Sequence, residues 1–172
     1  FNVRFMFFTI YHYRHSNLEQ WRDGCLIKLE SKTDDNGDEQ FVKLNRNSKQ
    51  SRIETEKTLV TTDKCIRSFS YWDLAQLNAS PLLNSQTGEL MDVSLRKRGN
   101  ETLVSQQTSV EARRYQLVGE DIEIDLWYTQ DHQWLALQSI TENGSLIRYQ
   151  LKPATPKTTA DQSSLYIKEQ TQ

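Results

Sequence analysis

The chain has 172 residues, a formal net charge of −2 and a hydrophobic fraction of 36%. This charge balance gives no electrostatic reason to expect binding to nucleic acid or to an anionic membrane. No apolar run approaches the roughly 20 residues that a membrane-spanning helix needs. The length suits one domain with a real core. The low hydrophobic fraction is typical of a sheet with one wet face, and a disordered tail would lower it in the same way.

The opening of the chain carries an apolar, aromatic run at Phe5–Ile10, and from Tyr11 onward the sequence alternates with a period of two. The alternation predicts a β-strand. One face of this strand carries a row of mostly polar and aromatic side chains: Tyr11, Tyr13, His15, Asn17, Glu19 and Trp21. Because alternate residues lie ~6–7 Å apart on one face, this row could line a pocket or hold a proton relay. The simpler interpretation is a solvated face, or one paired with a neighbouring strand.

Turn residues then divide the chain into hairpins. The Arg22-Asp23-Gly24 turn predicts a following strand at 25–32, with three side chains facing the core: Cys25, Ile27 and Leu29. Asn36-Gly37 predicts a second hairpin, because this pair accepts positive φ at both central positions. The strands at 41–45 and 51–56 are more polar, so we expect them to extend past the core into solvent. A further strand is predicted at 58–70.

The chain has two cysteines, Cys25 and Cys65. In an exported protein the pair would form a disulfide, closing a loop of about 40 residues and stabilising the fold by up to ~4 kcal/mol. In a cytosolic protein they would be ordinary buried thiols. A lone cysteine pair with scattered histidines is a poor metal site, so we expect neither a metal nor a cofactor.

The period changes at Ser70–Leu77, where helical spacing predicts one short helix capped by Ser70 or Asp73. This helix would plug an open end of the sheet and place Trp72 near its mouth. Further along, Gly99-Asn100 predicts a hairpin between strands at 90–98 and 101–104.

Residues 111–151 predict a meander of four antiparallel strands, the last two joined by Asn143-Gly144. The second strand has a clean apolar face and an acidic face that we expect to be wet. The apolar residues are Ile122, Ile124, Leu126 and Tyr128, and the acidic ones are Asp121, Glu123 and Asp125. Residues 152–172 form a polar tail that cannot bury enough apolar surface to order itself, which leaves a single β domain at 1–151.

Many short strands with regular turns predict an all-β fold: a large, strongly curved antiparallel sheet, as an open or half barrel, with one short helix.

Several short motifs in a fixed order resemble an exported Gram-negative bacterial family of domains of unknown function. They are Trp21-Arg22-Asp23-Gly24-Cys25-Leu26, Phe69-Ser70-Tyr71-Trp72, Leu83-Asn84-Ser85-Gln86-Thr87-Gly88-Glu89, and Ala112-Arg113-Arg114-Tyr115 followed by Leu126-Trp127-Tyr128. The resemblance implies a signal peptide, a periplasmic location and an all-β fold, and it carries over no catalytic residue. It also implies further strands before Phe1. Without them the edge at Phe1–Ile10 would be open to strand addition.

The sequence holds no G-x-S-x-G, H-E-x-x-H, P-loop, dinucleotide-binding or C-x-x-C motif. We therefore expect a non-enzymatic periplasmic module that binds a hydrophobic ligand, such as a lipid or acyl chain, in an aromatic groove. The candidate ligand-binding residues are Tyr11, Tyr13, His15, Glu19, Trp21 and Trp72.

Two alternatives remain open. The first is a structural or interaction subunit of a cell-envelope assembly, contacting its partner through Phe1–Ile10 or through the tail around Leu165–Ile167. The second is a hydrolase or isomerase that uses His15 and Glu19.

Overall fold

The computed structural model describes residues 12–105, 108–140, 144 and 146–151. These residues form thirteen strands and one short helix. In chain order the elements are β1 (Tyr13–Arg22), β2 (Cys25–Asp35), β3 (Asp38–Arg46), β4 (Ser51–Thr55), β5 (Leu59–Thr62), β6 (Arg67–Ser68), α1 (Leu74–Leu77), β7 (Leu82–Leu83), β8 (Leu90–Met91), β9 (Val93–Ser105), β10 (Thr108–Gly119), β11 (Glu123–Tyr128), β12 (Trp134–Ile140) and β13 (Leu146–Gln150).

The strands divide among three sheets. The first has the order β1-β2-β3-β4-β5, the second β13-β12-β11-β10-β9, and a small third sheet has the order β6-β7-β8. Both five-stranded sheets are antiparallel, and only β6 and β7 pair in parallel within the described strands. The predicted all-β, antiparallel class with one short helix is confirmed. The described strands form three sheets where the sequence analysis expected one large curved sheet.

Two tight turns fold the first sheet into hairpins. Asn36 and Gly37 have φ values of 55° and 94°, so both central residues are left-handed, as this turn type requires. The hairpin predicted there is confirmed. Asp23 and Gly24, with φ values of 52° and 72°, make the same kind of turn between β1 and β2.

A β-bulge changes which residues of β2 face the core. Gln20 pairs with Lys28 but Trp21 pairs with Leu26, which leaves Ile27 as an extra residue. Because one extra residue reverses the alternation of faces, Leu26 and Leu29 are both fully buried. The prediction that Cys25, Ile27 and Leu29 share the inward face is therefore correct only for Leu29.

Strands β3 and β4 belong to the core of the first sheet, contrary to the expectation that they extend into solvent. Val42, Leu44 and Ile53 are at most 1% exposed and pack in one cluster with Leu26 and Leu29. Their charged neighbours alternate with them along each strand, so one face is apolar and the other wet. The low apolar content of these segments reflects that one-sided burial.

The four strands predicted in the C-terminal meander are confirmed as β10 to β13. The apolar face of β11 enters a second core cluster through Ile124, Leu126 and Tyr128. Residue Asn143 of the predicted last turn lies outside the described residues. The strand predicted at 58–70 is instead two separate strands, β5 and β6.

The predicted hairpin at Gly99-Asn100 is wrong, because β9 continues through it for 13 residues. Arg114 pairs with Gly99 and Tyr115 pairs with Lys97, so Arg98 is the extra residue of a second bulge. Gly99 has a φ of 130°, which a side chain would oppose. Glycine here permits a bulge in a continuous strand.

The small third sheet contributes to both cores. Leu83 joins the cluster of the first sheet, whereas its neighbour Leu82 joins the cluster of the second. Successive side chains of a strand point to opposite faces, so β7 connects the two large sheets. Helix α1 contributes to one core only, because its Leu77 packs into the cluster of the second sheet.

The outward face of the second sheet combines polar side chains with a third buried apolar cluster, formed by Leu103, Ala112, Trp127 and Ala136. The expected wet face is found at Asp121 and Glu123, which are exposed. The centre of the outward face is Arg114, whose guanidinium binds Asp125 at 2.8 Å and Glu101 at 2.9 Å. The Trp127 indole also donates to Glu101, at 2.9 Å. These hydrogen bonds lower the pKa of the Glu101 carboxyl.

Candidate functional site

The segment 69–77, here called the Trp72 segment, lies on the inward face of the second sheet. Phe69, Tyr71, Leu74 and Leu77 pack against the second core cluster. The side chain between them, Trp72, is 62% exposed. Asp73 caps α1 by accepting a hydrogen bond from the Ala75 amide at 3.0 Å. The helix was predicted in this place, and of its two candidate caps the structure uses Asp73.

A buried tyrosine fixes this segment to the second sheet. The Tyr128 hydroxyl donates a 2.6 Å hydrogen bond to the Tyr71 carbonyl oxygen. Tyr128 is fully buried, and this burial raises the pKa of its phenol well above the usual value. Its ring also meets that of Tyr115 edge to face, with centroids 5.8 Å apart. The hydrogen bond from Tyr128 therefore fixes the backbone next to Trp72 to the second sheet.

Glu19 fixes the same segment to the first sheet. One carboxylate oxygen accepts from the Asn17 amide at 2.9 Å and from the Ser68 hydroxyl at 2.7 Å. The other accepts from the Trp21 indole at 3.1 Å and from the Ser70 hydroxyl at 3.0 Å. Ser68 and Ser70 are each only 1% exposed. The carboxylate is thus occupied as an acceptor, and its role here is to position Trp21 and the Trp72 segment.

A small cleft of about 170 Å³ lies between the β1–β2 turn and the Trp72 segment. Its lining combines two indoles with polar groups: Trp21, Arg22, Asp23, Gly24, Ser70, Trp72, Asp73 and Gln76. The Oε1 atom of Gln76 is buried and has no hydrogen-bond partner among the residues that the structure describes. A disulfide joins Cys25 to Cys65 beside the turn, and the Arg67 guanidinium donates to the Gly24 carbonyl at 3.1 Å.

A larger cleft of about 450 Å³ lies on the other side of Trp72. The apolar part of its lining comes from α1 and from β9 and β10, and its polar part from side chains at the rim. These residues are Trp72, Asp73, Leu74, Ala75, Asn78, Leu95, Lys97, Tyr115 and His132. Trp72 therefore forms a wall that both clefts share.

His132 reaches the larger cleft from the turn between β11 and β12. The turn is closed by hydrogen bonds from the Gln133 and His132 amides to Thr129, at 3.0 and 3.1 Å. His132 has a left-handed φ of 62°, a conformation in which histidine is enriched over most residues. Its Nε2 lies 3.1 Å from Nη1 of Arg113.

His15 occupies a different place on the first sheet. Its Nδ1 lies 2.9 Å from the Thr33 hydroxyl, and its Nε2 lies 3.5 Å from the hydroxyl of Ser85. Burial beneath the 84–89 loop lowers the pKa of the imidazole. Although His15 and Glu19 share a face, they are ~13 Å apart along the strand and bind different partners.

Of the predicted ligand-binding residues, the structure brings Trp21 and Trp72 together at one cleft, with Glu19 behind them. Tyr13 lies at the far end of β1, opposite Asp35. Tyr11 lies outside the described residues. Sequence reasoning missed Lys97, Tyr115 and His132, although the shared face of Tyr115 and Leu117 on β10 was a usable signal.

Within the described ranges, no three His, Cys, Asp or Glu side chains are grouped so that they could hold a metal ion. In the same part of the chain, no helix combines the length and apolar character that crossing a membrane requires.

Comparison with known proteins bears on the family of the chain. No curated protein and no solved structure shows significant similarity to it. A family described as a domain of unknown function (DUF6134) matches residues 1–152, which is most of the sequence. The chain belongs to this DUF6134 family.

Proposed function

We propose that the protein is a non-enzymatic binding module of the periplasm that holds a hydrophobic ligand, a lipid or acyl chain, beside Trp72. The observation that carries this proposal is the 62% exposure of the Trp72 indole on a segment fixed from both sheets. Tryptophan is highly buried on average. An indole held rigidly in solvent between two clefts is a preformed apolar contact for a ligand.

The size and lining of the larger cleft suit an acyl chain. Its volume of about 450 Å³ falls in the range of roughly 300–1,000 Å³ typical of small-molecule sites. Leu74, Leu95 and Tyr115 supply apolar surface opposite Trp72. The smaller cleft lies on the other side of the indole, where Arg22, Ser70 and Gln76 of its lining supply polar side chains for a polar group of the same ligand.

Two observations support the periplasmic part of the proposal. The Cys25–Cys65 disulfide is of a kind that persists in oxidising compartments and is rare in the cytosol. The motif order resembles exported Gram-negative proteins, and those motifs fall at the site itself: Trp21, Gly24, Ser70 and Trp72 line the smaller cleft.

The arrangement of the polar groups supports a binding role over a catalytic one. The Glu19 carboxylate accepts four hydrogen bonds within the fold. His15 lies under a loop and away from both clefts. An enzyme that uses His15 and Glu19 as a pair needs them to converge on one substrate, and they lie apart.

The test is binding of the neutral fluorescent probe N-phenyl-1-naphthylamine to the intact protein, followed by displacement with decanoate. We expect saturable binding that weakens at least tenfold in Trp72→Ala. The matched control is Leu18→Ala, which removes an exposed apolar side chain (59% exposed) from the first sheet and should bind as the wild type does. Absence of probe binding by the wild type, or equal binding by Trp72→Ala, would overturn the proposal.

A specific surface feature favours the second candidate, a subunit of an envelope assembly. Ile140 and Leu146 face each other across β12 and β13 and are 68% and 61% exposed. Such a pair is a contact point for a partner chain. If this function is right, Ile140→Glu should abolish co-purification with an envelope protein while leaving probe binding intact. Co-purification that survives this change would remove the surface from consideration. The segments Phe1–Ile10 and Leu165–Ile167, predicted as contacts, lie outside the described residues.

A further inference from the structure

Cationic and donor side chains lie in the lining of the larger cleft or in contact with it. Lys97 and Tyr115 are cross-strand partners on β9 and β10, and both line the cleft. His132 lines it from the β11–β12 turn, and the Arg113 guanidinium contacts the imidazole at 3.1 Å. Lys97 and His132 thus bring nitrogen-bearing side chains to the lining from two separate elements, and Arg113 of β10 contacts the second of them.

The described part of the chain supplies no carboxylate partner for Lys97 or Arg113. Among the described residues, neither Lys97 nor Arg113 has a carboxylate within 4.0 Å. Asp73 is the acidic residue in the cleft lining, and its Oδ1 already accepts from the Ala75 amide as the helix cap.

The neighbouring arginine shows the opposite arrangement. Arg114 points to the outward face and is neutralised by both Asp125 and Glu101. Adjacent residues of one strand therefore differ. Carboxylates bind the outward guanidinium of Arg114, whereas the half-buried Arg113 contacts the His132 imidazole and has no carboxylate partner among the described residues. A partly desolvated cation without an anion is unfavourable, and an anionic ligand would relieve that cost.

We propose that the larger cleft selects ligands whose apolar chain ends in an anionic group, a carboxylate or a phosphate, bound by Lys97, Arg113 and His132. This inference rests on the proposed function and adds the chemical class of the ligand. The chain lies against Trp72, Leu95 and Tyr115, and its anionic end lies at the rim. Because arginine only donates, the Nε2 atom that faces Arg113 accepts, and the neutral imidazole keeps an N–H at Nδ1.

The experiment compares three competitors of equal chain length against bound N-phenyl-1-naphthylamine: decanoate, decyl phosphate and decanol. In the wild type we expect either anionic competitor to displace the probe at about a tenfold lower concentration than decanol. Lys97→Met and Arg113→Met should each remove most of this advantage of the anionic competitors over decanol. The stronger anionic competitor indicates whether the ligand is a free fatty acid or a phosphorylated lipid.

The control is Lys32→Met, which removes an exposed lysine from β2 of the first sheet and should keep the full advantage. Equal displacement by decanol and both anions in the wild type would overturn this inference and leave the proposed function standing. A loss as large in Lys32→Met would also overturn it, since net charge alone would then explain the preference. Failure of the probe itself to bind would remove the proposed function and this inference together.

Discussion

The Tyr128 hydroxyl donates to the Tyr71 carbonyl oxygen at 2.6 Å, so a side chain from the middle of the second sheet holds the backbone next to Trp72. Tyr128→Phe removes this donor and leaves a carbonyl oxygen unsatisfied, which costs about 1–3 kcal/mol of unfolding free energy. Urea unfolding measures the loss, and probe binding should weaken with it. Tyr149→Phe is the control, because it removes the hydroxyl of an exposed tyrosine (37% exposed). If both variants have the same urea midpoint of unfolding as the wild type, the hydrogen bond from Tyr128 does not stabilise the segment.

Glu19 makes a second prediction, because four donors converge on its two oxygens. Glu19→Gln keeps the shape but turns one acceptor oxygen into an NH₂ group that faces two donors. We expect the free energy of unfolding to fall by about 2–3 kcal/mol, as for a hydrogen-bonded charged group. We also expect the tryptophan fluorescence to shift to longer wavelength, because Trp21 becomes more solvated. Glu54→Gln is the matched control, since the Glu54 side chain is 45% exposed and its loss should cost under about 0.5 kcal/mol.

His15 predicts how stability depends on pH. Burial lowers the pKa of its imidazole below the value of 6.5 that the unfolded chain retains. The unfolded state therefore binds the proton first as pH falls. This contribution to stability is fully present above pH 6.5 and is lost as pH drops from 6.5 towards the lower folded pKa.

The measurement is the unfolding free energy at pH 7.5 and at pH 5. The wild type should lose more stability between these values than His15→Gln, which cannot take up the proton. A pH dependence that is the same in both proteins would show that another group causes it.

Gly88 permits close packing of the 84–89 loop on the first sheet. A Cβ at this position would overlap Cγ2 of Thr55, and the residue has a φ of 78°. Gly88→Ala should lower the free energy of unfolding, measured with urea, by about 2–4 kcal/mol. The left-handed backbone and the steric overlap both contribute to this loss. Gly37→Ala separates the two causes, because Gly37 has a φ of 94° and a methyl group added there would meet no atom within 4 Å. Equal losses in the two variants would exclude a role for the Thr55 contact.

Local sequence signals predicted the local parts of this fold. The hairpin at Asn36-Gly37 was predictable because these two residue types readily adopt the positive φ angles that the turn requires. The bulges at Ile27 and Arg98 escaped prediction because one added residue looks like ordinary alternation until the partner strand is known. The Gly99-Asn100 error has the same origin, since a glycine with positive φ serves a bulge as well as a turn.

The candidate site was predictable only in part, for a related reason. Trp21 and Trp72 stood out as large aromatic residues in polar surroundings. Their meeting depends on hydrogen bonds from Ser68 and Ser70 to Glu19, across 49 and 51 residues of sequence. Contacts at that separation follow from the arrangement of whole elements, which periodicity within one strand does not encode.

The bulge in β9 has a consequence for how molecules of this protein meet. Strand β9 is 13 residues long and pairs only with β10 among the described strands, so no described strand uses the backbone amides and carbonyls on its other side. Arg96, Lys97 and Arg98 lie at the bulge, which increases the local twist of this sheet edge. If a second copy approached with its own β9 edge, the positive side chains of the two edges would repel each other and the two twisted backbones would not align. We therefore expect this edge to oppose edge-to-edge pairing between copies of the protein.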